Sequence, residues 1–232
     1  MGNYFVTGDT HGNFERVVNF CHKFNLTEKD TVIILGDAGI NYYGGRRDKK
    51  RKKLLSSLLP TFFCIHGNHE KRPHHIESYT EKEYNGGIVL YEENYPNILF
   101  PKDGEIFDIN GKKAIVIGGA YSVDKFYRLQ QGWHWFSDEQ PSDKIKQRVE
   151  EQLDNTKWQI DYVLTHTCPL QYEPTEVFLQ QIDQSTVDKS TEEWLEKIER
   201  RLNYEKWLCG HFHTSKVIDK IRFMFEDWIE LI

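Results

Sequence analysis

The recurring pattern of the sequence begins at Asn3-Tyr4-Phe5-Val6-Thr7-Gly8-Asp9-Thr10-His11-Gly12, where an apolar run stops at a glycine, an acid and a histidine. After this stretch, apolar side chains recur at three- and four-residue spacing, as they do along one face of a helix: Phe14, Val17, Val18, Cys21 and Phe24. The pattern predicts a strand, a polar loop and an amphipathic helix.

Four more apolar runs lead into polar clusters. The clusters are Gly36-Asp37 after residues 31–35, His66-Gly67-Asn68-His69-Glu70 after residues 61–65, His166 after residues 161–165, and Gly210-His211-Phe212-His213 after residues 206–209. Residues 31–35 show no alternation of apolar and polar positions, which is typical of a strand covered on both faces. We interpret all four runs as strands.

The remaining segments predict helices and further short strands. Helices are expected over residues 52–59, 142–153 and 191–202, and strands over residues 88–90, 97–100, 105–109, 113–117 and in short terminal hairpins within 216–232. Asn110-Gly111 is a strong signal for a two-residue hairpin. The segments predict a layered α/β fold, with one mixed sheet or two facing sheets flanked by helices, in a single domain over residues 1–232.

Composition excludes disordered, collagen-like and membrane-spanning proteins. The chain has 232 residues, 38% hydrophobic and 14% aromatic, enough for a substantial core. Its net charge of −6 lacks the basic character of a general DNA-binding protein. It has no apolar stretch near the roughly 20 residues of a membrane helix and no basic segment followed by an apolar one at its start. Because its four cysteines form no CxxC pair, we expect a cytoplasmic protein with reduced thiols.

The five polar clusters are expected to meet in space. In layered α/β folds the loops that follow the strands converge on one edge. Imidazole, carboxylate and amide oxygen suit divalent ions such as Mn, Fe or Zn, and the clusters contain enough of these groups for two ions. Two ions about 3.5 to 4 Å apart need a bridging ligand, for which we choose Asp37. Each cluster alone fits a solvated loop or a helix cap, but the set of five indicates a metal site.

The sequence resembles the calcineurin-like metallophosphoesterases in the identity and order of its motifs: Gly8-Asp9-Thr10-His11-Gly12, Gly36-Asp37, Gly67-Asn68-His69-Glu70, His166 and Gly210-His211-Phe212-His213. The motifs extend over residues 8–213, nearly the whole chain. The resemblance implies an α/β fold of two facing mixed β-sheets flanked by helices, with a dinuclear metal centre at one edge.

The resemblance also implies a role for each motif residue. The first ion would be bound by Asp9, His11 and His213, and the second by Asn68, His166 and His211, with Asp37 bridging the two. A hydroxide on the ions would attack phosphorus in line. His69 would be the catalytic histidine that stabilises the phosphoryl oxygens or protonates the leaving oxygen.

The sequence departs from many relatives after Asp37. In those relatives a second Asp and an Arg follow, in a pattern such as Gly-Asp-x-x-Asp-Arg-Gly, whereas here Ala38-Gly39-Ile40-Asn41 follows. The difference argues against phosphate binding in the manner of the phosphoprotein phosphatases.

Two segments are candidates for substrate binding. Residues 46–53 contain seven basic residues, which leaves 23 basic and 35 acidic residues, or −12, elsewhere. This run is either a solvated helix face or a docking surface for a polyanion such as nucleic acid. The aromatic, glycine-rich loop 118–136 either covers the end of the core or stacks a base and pairs with phosphate, with Tyr121 and Arg128 as the best candidates. We expect His134 not to bind metal, and His74 and His75 to be surface residues.

The sequence therefore predicts a metal-dependent phosphohydrolase with two divalent ions, Mn foremost and Fe or Zn as alternatives. The substrate is a phosphate ester, with a slight preference for a phosphodiester, a nucleotide or nucleic acid. One alternative is a phosphomonoesterase of the serine/threonine protein phosphatase type, which the Gly67–Glu70 motif favours. The alternative outside enzymes is a non-catalytic metal-binding scaffold of the same fold. Such scaffolds typically lose the catalytic histidine or several ligands, and this sequence retains them.

Overall fold

Two β-sheets pack face to face in this protein, with helices on their outer surfaces. The structure is a computed structural model that describes residues 2–232. The first sheet contains β1 (Tyr4–Thr7), β2 (Thr31–Ile34), β3 (Thr61–Cys64), β4 (Thr80–Tyr84), β5 (Gly87–Glu92), β6 (Tyr95–Pro101) and β13 (Ile229–Leu231). Their order is β13-β1-β2-β3-β6-β5-β4, in which β1, β2, β3 and β6 are parallel.

The second sheet has six strands. They are β7 (Ile106–Ile109), β8 (Lys112–Ile117), β9 (Tyr162–Thr165), β10 (Lys206–Cys209), β11 (Lys216–Ile218) and β12 (Ile221–Phe223), in the order β11-β12-β10-β9-β8-β7. The pairs β7–β8 and β11–β12 are antiparallel, and the others are parallel. Asn110 and Gly111 form the predicted hairpin turn between β7 and β8, with φ of 53° and 87°.

Three layers of apolar side chains join these elements. Helices α1 (Glu15–Lys23) and α2 (Arg46–Ser56) cover the outer face of the first sheet, and α4 (Asp143–Asn155) and α5 (Ser190–Glu199) cover that of the second. Between the sheets, Ile33 and Phe63 of the first share a buried cluster with Leu164 and Leu208 of the second. Burial of each such side chain contributes about 1.5 to 3 kcal/mol. The α/β fold of two facing mixed sheets flanked by helices is confirmed.

Some element boundaries differ from the sequence prediction. Helix α2 begins at Arg46 rather than at residue 52. The sequence pattern does not reveal its first turns, because two of its three buried residues, Asp48 and Lys52, are charged and show no apolar periodicity. Lys52 Nζ lies 2.5 Å from Glu92 Oε2. Strand β4 was not predicted, since it is a largely exposed edge strand. The predicted loop 118–136 contains the short helix α3 (Lys125–Gln130).

The predicted terminal hairpins are correct only for β11 and β12. Strand β13 crosses to the other sheet, where it pairs antiparallel with β1. All four cysteines are free and buried. Within residues 2–232 no helix combines the length and apolarity that a membrane crossing requires.

Candidate metal centre and active site

The loops that follow β1, β2, β3, β9 and β10 meet at one edge, where the two sheets face each other. Around Asp9 they bring together two histidines: His213 Nε2 lies 3.3 Å and His11 Nε2 lies 3.8 Å from Asp9 Oδ2. The two imidazole Nε2 atoms are 2.9 Å apart. Asp9 is 3% exposed, and its Oδ2 is buried without a hydrogen-bond partner. The three side chains form a group with the geometry to hold a cation.

A second group surrounds the amide of Asn68. Its Oδ1 lies 2.8 Å from His166 Nε2 and 3.1 Å from His211 Nδ1. His166 Nδ1 lies 2.8 Å from the carbonyl oxygen of Leu35, to which it donates, so Nε2 is the ring nitrogen that faces Asn68. The Asn68 Nδ2 donates to Ser122 Oγ at 2.9 Å, which turns Oδ1 toward the histidines.

Asp37 lies between the two groups. Its Oδ2 is 4.0 Å from His11 Nδ1 and 3.7 Å from His166 Nε2. Its Oδ1 accepts a hydrogen bond from the backbone N–H of His69 at 2.7 Å. The carboxylate is 1% exposed and faces both histidines with the same oxygen. This is the position that a bridging ligand requires.

Burial and neighbouring charges set the protonation states of these groups. Burial, together with His166, lowers the pKa of His211 to about 3. The imidazole is therefore neutral and offers a lone pair. The neighbouring Asp9 carboxylate raises the pKa of His213. Burial opposes ionisation of Asp37, but His69 and His166 outweigh it and lower the pKa of that carboxyl.

His69 faces open space rather than the core. Its side chain is 28% exposed, and its Nε2 lies 3.9 Å from Asp124 Oδ1. It lines two cavities, of about 390 and 650 Å³, which also share His11 and Asp124. A histidine between two cavities can exchange a proton with a group bound in either of them.

The order and placement of these motifs agree with a family comparison. A family model described as calcineurin-like phosphoesterase matches residues 3–215. The chain belongs to the calcineurin-like phosphoesterase family. None of the curated proteins matches its sequence.

The comparison with solved structures gives matches at low sequence identity. The TT1561 protein of Thermus thermophilus is 11% identical, with a TM-score of 0.51 over 97% of this chain and 88% of its own. Phosphopantetheinyl Hydrolase (PptH) from Mycobacterium tuberculosis is 14% identical, with a TM-score of 0.49 over 97% and 88%. At 11% identity, the similarity to the TT1561 protein shows the fold alone.

The two predicted substrate-binding residues of this calcineurin-like phosphoesterase lie in different cavities. Tyr121 lines the smaller cavity, and Arg128 lines the larger one. Trp133 is 53% exposed, and Phe126 and Tyr127 of α3 are more exposed still. The interpretation of this segment as a cover over the core is therefore wrong for these three aromatic residues, because Phe126 and Tyr127 on α3 and Trp133 just after it are exposed.

Other predicted histidines lie outside the calcineurin-like motif cluster. His134 is exposed in the larger cavity. His74 and His75 are exposed and close to Asp138. They form a separate surface group, as expected of surface residues.

Sequence reasoning missed Ser122, Asp124 and Glu139. Ser122 Oγ donates to Glu139 Oε2 at 2.5 Å while it accepts from Asn68, so the pair orients that amide. Trp135 Nε1 also donates to Glu139 Oε2, at 2.8 Å. The position of these residues in the chain was the signal that could have revealed them, because the loop after β8 leaves the sheet at the same edge as the loops after β9 and β10.

Proposed function

We propose that this calcineurin-like phosphoesterase hydrolyses phosphate esters with two divalent metal ions. The ions would be held by Asp9, His11 and His213 on one side and by Asn68, His166 and His211 on the other, with Asp37 between them. One observation carries the proposal: Asp9 Oδ2 is buried without a hydrogen-bond partner, beside two imidazole nitrogens. A buried carboxylate oxygen in this state is costly unless a cation compensates it.

The chain's own residues orient the chemistry. Divalent ions in this site would lower the pKa of water toward neutrality and neutralise the charge of a phosphate. The backbone N–H of His69 holds Asp37 in place, and Ser122 holds the amide of Asn68. These contacts fix the donor atoms before substrate binds, which reduces the reorganisation that the reaction requires.

His69 is the residue we assign to proton transfer. Its side chain reaches the wall of both cavities, and Asp124 Oδ1, buried without a hydrogen-bond partner, lies 3.9 Å from Nε2. Asp124 can orient the imidazole while the ring gives a proton to the leaving oxygen. Burial lowers the pKa of His69.

A phosphodiester or nucleotide is the substrate class that we propose. A diester carries a substituent on each side of phosphorus, and two separate cavities, of about 390 and 650 Å³, both border His69. Tyr121 would contact the substituent in the smaller cavity, and Arg128 the one in the larger. We propose Mn²⁺ as the metal, with Fe and Zn as alternatives, and a cytoplasmic location, which the four free buried thiols support.

Hydrolysis assays test the proposal. Metal-stripped protein is given Mn²⁺ and either p-nitrophenyl phosphate or bis-p-nitrophenyl phosphate. We expect Mn²⁺-dependent turnover, with the diester preferred, and a loss of at least about 100-fold in kcat for His69→Ala and Asp37→Ala. His22→Ala, which removes an exposed histidine of α1 that lines neither cavity, is the control for loss of an imidazole.

Two outcomes would count against the proposal. The first is the absence of turnover with Mn, Fe or Zn although the protein binds metal in stoichiometric amounts, which would favour a scaffold. The second is turnover that Asp37→Ala leaves intact. Preference for the monoester would retain the phosphohydrolase and reject the diesterase.

A further inference from the structure

The larger cavity, of about 650 Å³, is lined by basic and aromatic side chains beside the proposed metal centre. We call it the cationic cleft and define it by Tyr42, Tyr43, Arg47, Arg51, Arg128 and His134. His11 and His69 also line it, so a group bound there lies next to a phosphate at the metal centre.

Two parts of the chain supply the positive charge of the cationic cleft. Arg47 and Arg51 project from α2 one turn apart, and Arg128 comes from α3. In the part of the chain that the structure describes, neither Arg47 nor Arg51 forms an ion pair. Arg51 donates to the backbone oxygens of Gly39 and His11, at 2.8 and 3.3 Å, which connects the cleft to the loops of the metal centre.

Arg128 is the residue that points most directly to a ligand. It is 3% exposed, yet its Nε and Nη1 atoms are buried without hydrogen-bond partners. Its nearest carboxylate, Asp124 Oδ2, lies 3.8 Å from Nε, beyond hydrogen-bond distance. A buried guanidinium with free N–H groups is costly unless an anion accepts them.

A purely structural role for Arg128 does not account for these free donors. Its Cζ lies 5.1 Å from the centre of the Tyr42 ring, an arrangement that stabilises the cation. Stacking uses the face of a guanidinium and leaves the N–H groups in its plane unpaired. Arg128 lines the cationic cleft, where the planar fork of an arginine suits two oxygens of a phosphate.

The two cavities differ in charge. The smaller cavity is lined by acidic side chains, among them Asp188 and Glu173, which pairs with Lys189, and by apolar side chains such as Val177 and Phe178. The cationic cleft, by contrast, has one carboxylate in its lining, Asp124, which the two cavities share. A substrate with a second negative charge is therefore attracted to one side of the metal centre and repelled from the other.

We propose that the cationic cleft binds a second phosphate group of the substrate, with Arg128 as its main ligand and Arg47 and Arg51 as supporting charges. Tyr43 and His134 line the same cleft. Their aromatic rings would stack with a planar base next to that phosphate. The preferred substrate is then a phosphodiester in which one substituent is a phosphorylated nucleoside. This inference rests on the proposed function and names the substrate class for the same site.

Two compounds that differ only in the second phosphate test the proposal: thymidine 5′-(p-nitrophenyl phosphate) and the same compound with a 3′-phosphate. Both release p-nitrophenolate on hydrolysis, so one assay follows both. With Mn²⁺, we expect the wild-type kcat/KM to be at least about tenfold higher for the 3′-phosphorylated compound, mainly through a lower KM.

Three variants assign that preference to the cleft. Arg128→Gln should reduce kcat/KM about tenfold more for the phosphorylated compound than for the plain one. Because Arg128 is buried and its variant can fail to fold, Arg47→Gln provides a second test at an exposed position, with a smaller loss in the same direction. Lys49→Gln removes one charge from an exposed residue of α2 outside the cleft and should leave the preference unchanged.

Equal wild-type kcat/KM values for the two compounds would overturn the inference. An equal loss for both compounds in Arg47→Gln and in folded Arg128→Gln would do the same, since it would indicate a structural role. In either case the proposed phosphohydrolase stands. Failure of the wild-type protein to hydrolyse either compound, bis-p-nitrophenyl phosphate or p-nitrophenyl phosphate would instead refute the proposed function.

Discussion

At the scale of single residues, the candidate site depends on backbone conformations that side chains rarely adopt. His11, Asp37, His211 and His213 have φ of 47°, 46°, 66° and 48°, in the left-handed region. Each such residue costs about 1 to 2 kcal/mol. Residues of this kind are concentrated where a function needs them. Here the conformation turns the chain sharply after a strand and aims the side chain at the edge of the sheets.

Gly36, next to Asp37, meets both a conformational and a steric demand. Its φ is 96°, and a Cβ there would lie 1.9 Å from His166 Nδ1. We expect Gly36→Ala to lower the free energy of unfolding and to weaken Mn²⁺ binding, because the imidazole of His166 must move. Urea denaturation and metal titration measure the two effects.

Gly44→Ala is the matched control for Gly36→Ala. Gly44 has a φ of 67°, and nothing lies within 4 Å of the added Cβ. Gly44→Ala should therefore lower the free energy of unfolding by only about 1 kcal/mol, through backbone strain, and should keep its Mn²⁺ affinity. Equal losses of stability in the two variants would contradict the close packing of Gly36 against His166.

Glu192 should make stability depend on pH. Burial raises the pKa of this carboxyl on α5 to about 7, although Thr167 Oγ1 donates to it at 2.7 Å. In the unfolded chain this carboxyl loses its proton near pH 4.5. The contribution of Glu192 to the free energy of unfolding is therefore fully present below that pH and is lost as pH rises through about 7. The free energy of unfolding of metal-stripped protein should therefore fall from about pH 5 to about pH 8.

Glu192→Gln isolates this contribution. The amide cannot ionise, so the variant should gain stability relative to the wild-type protein as pH rises from about 5 to about 8. Urea denaturation at several pH values measures the difference. Parallel stability curves for the two proteins would show that Glu192 does not titrate in this range.

At the scale of elements, the sequence predicts strands best where a buried run ends abruptly. β1, β2, β3, β9 and β10 each have four residues and lie in the centre of a sheet, so their apolar runs mark them clearly. Edge elements carry a weaker signal. β4 is mostly exposed, and α2 buries Asp48 and Lys52 through partners that the sequence does not reveal.

Strand β13 closes one edge of the first sheet, and its apolar contact should be essential. Leu231 is 2% exposed and lies in the layer between the sheets. We expect Leu231→Ala to reduce the free energy of unfolding by about 2 to 4 kcal/mol, since the vacated space lies in a packed core. Val217→Ala, at an exposed position of the edge strand β11, should cost less than about 0.5 kcal/mol in the same urea assay. Similar costs for the two would mean that β13 packs loosely.

At the scale of the whole molecule, the candidate site joins the two sheets. Asp9, Asp37 and Asn68 follow strands of the first sheet, whereas His166 and His211 follow strands of the second. The motifs identify these residues in the sequence, and the rule that loops converge predicts that they meet. The sequence does not reveal the support from Ser122 and Glu139 or the two cavities, because those depend on the path of the loop after β8.

A site that spans both sheets should couple metal binding to the stability of the entire fold. Ions that bind only the folded protein stabilise it by about 2.7 kcal/mol when free metal is about 100 times Kd. We expect Mn²⁺ to raise the Tm of the metal-stripped wild-type protein, and EDTA to reverse the change. Asp37→Ala should lose most of this increase because the residue faces both ligand groups, whereas His134→Ala should keep it. An unchanged wild-type Tm, or an equal increase in Asp37→Ala, would contradict the placement of the ions between the sheets, whatever the activity toward phosphate esters.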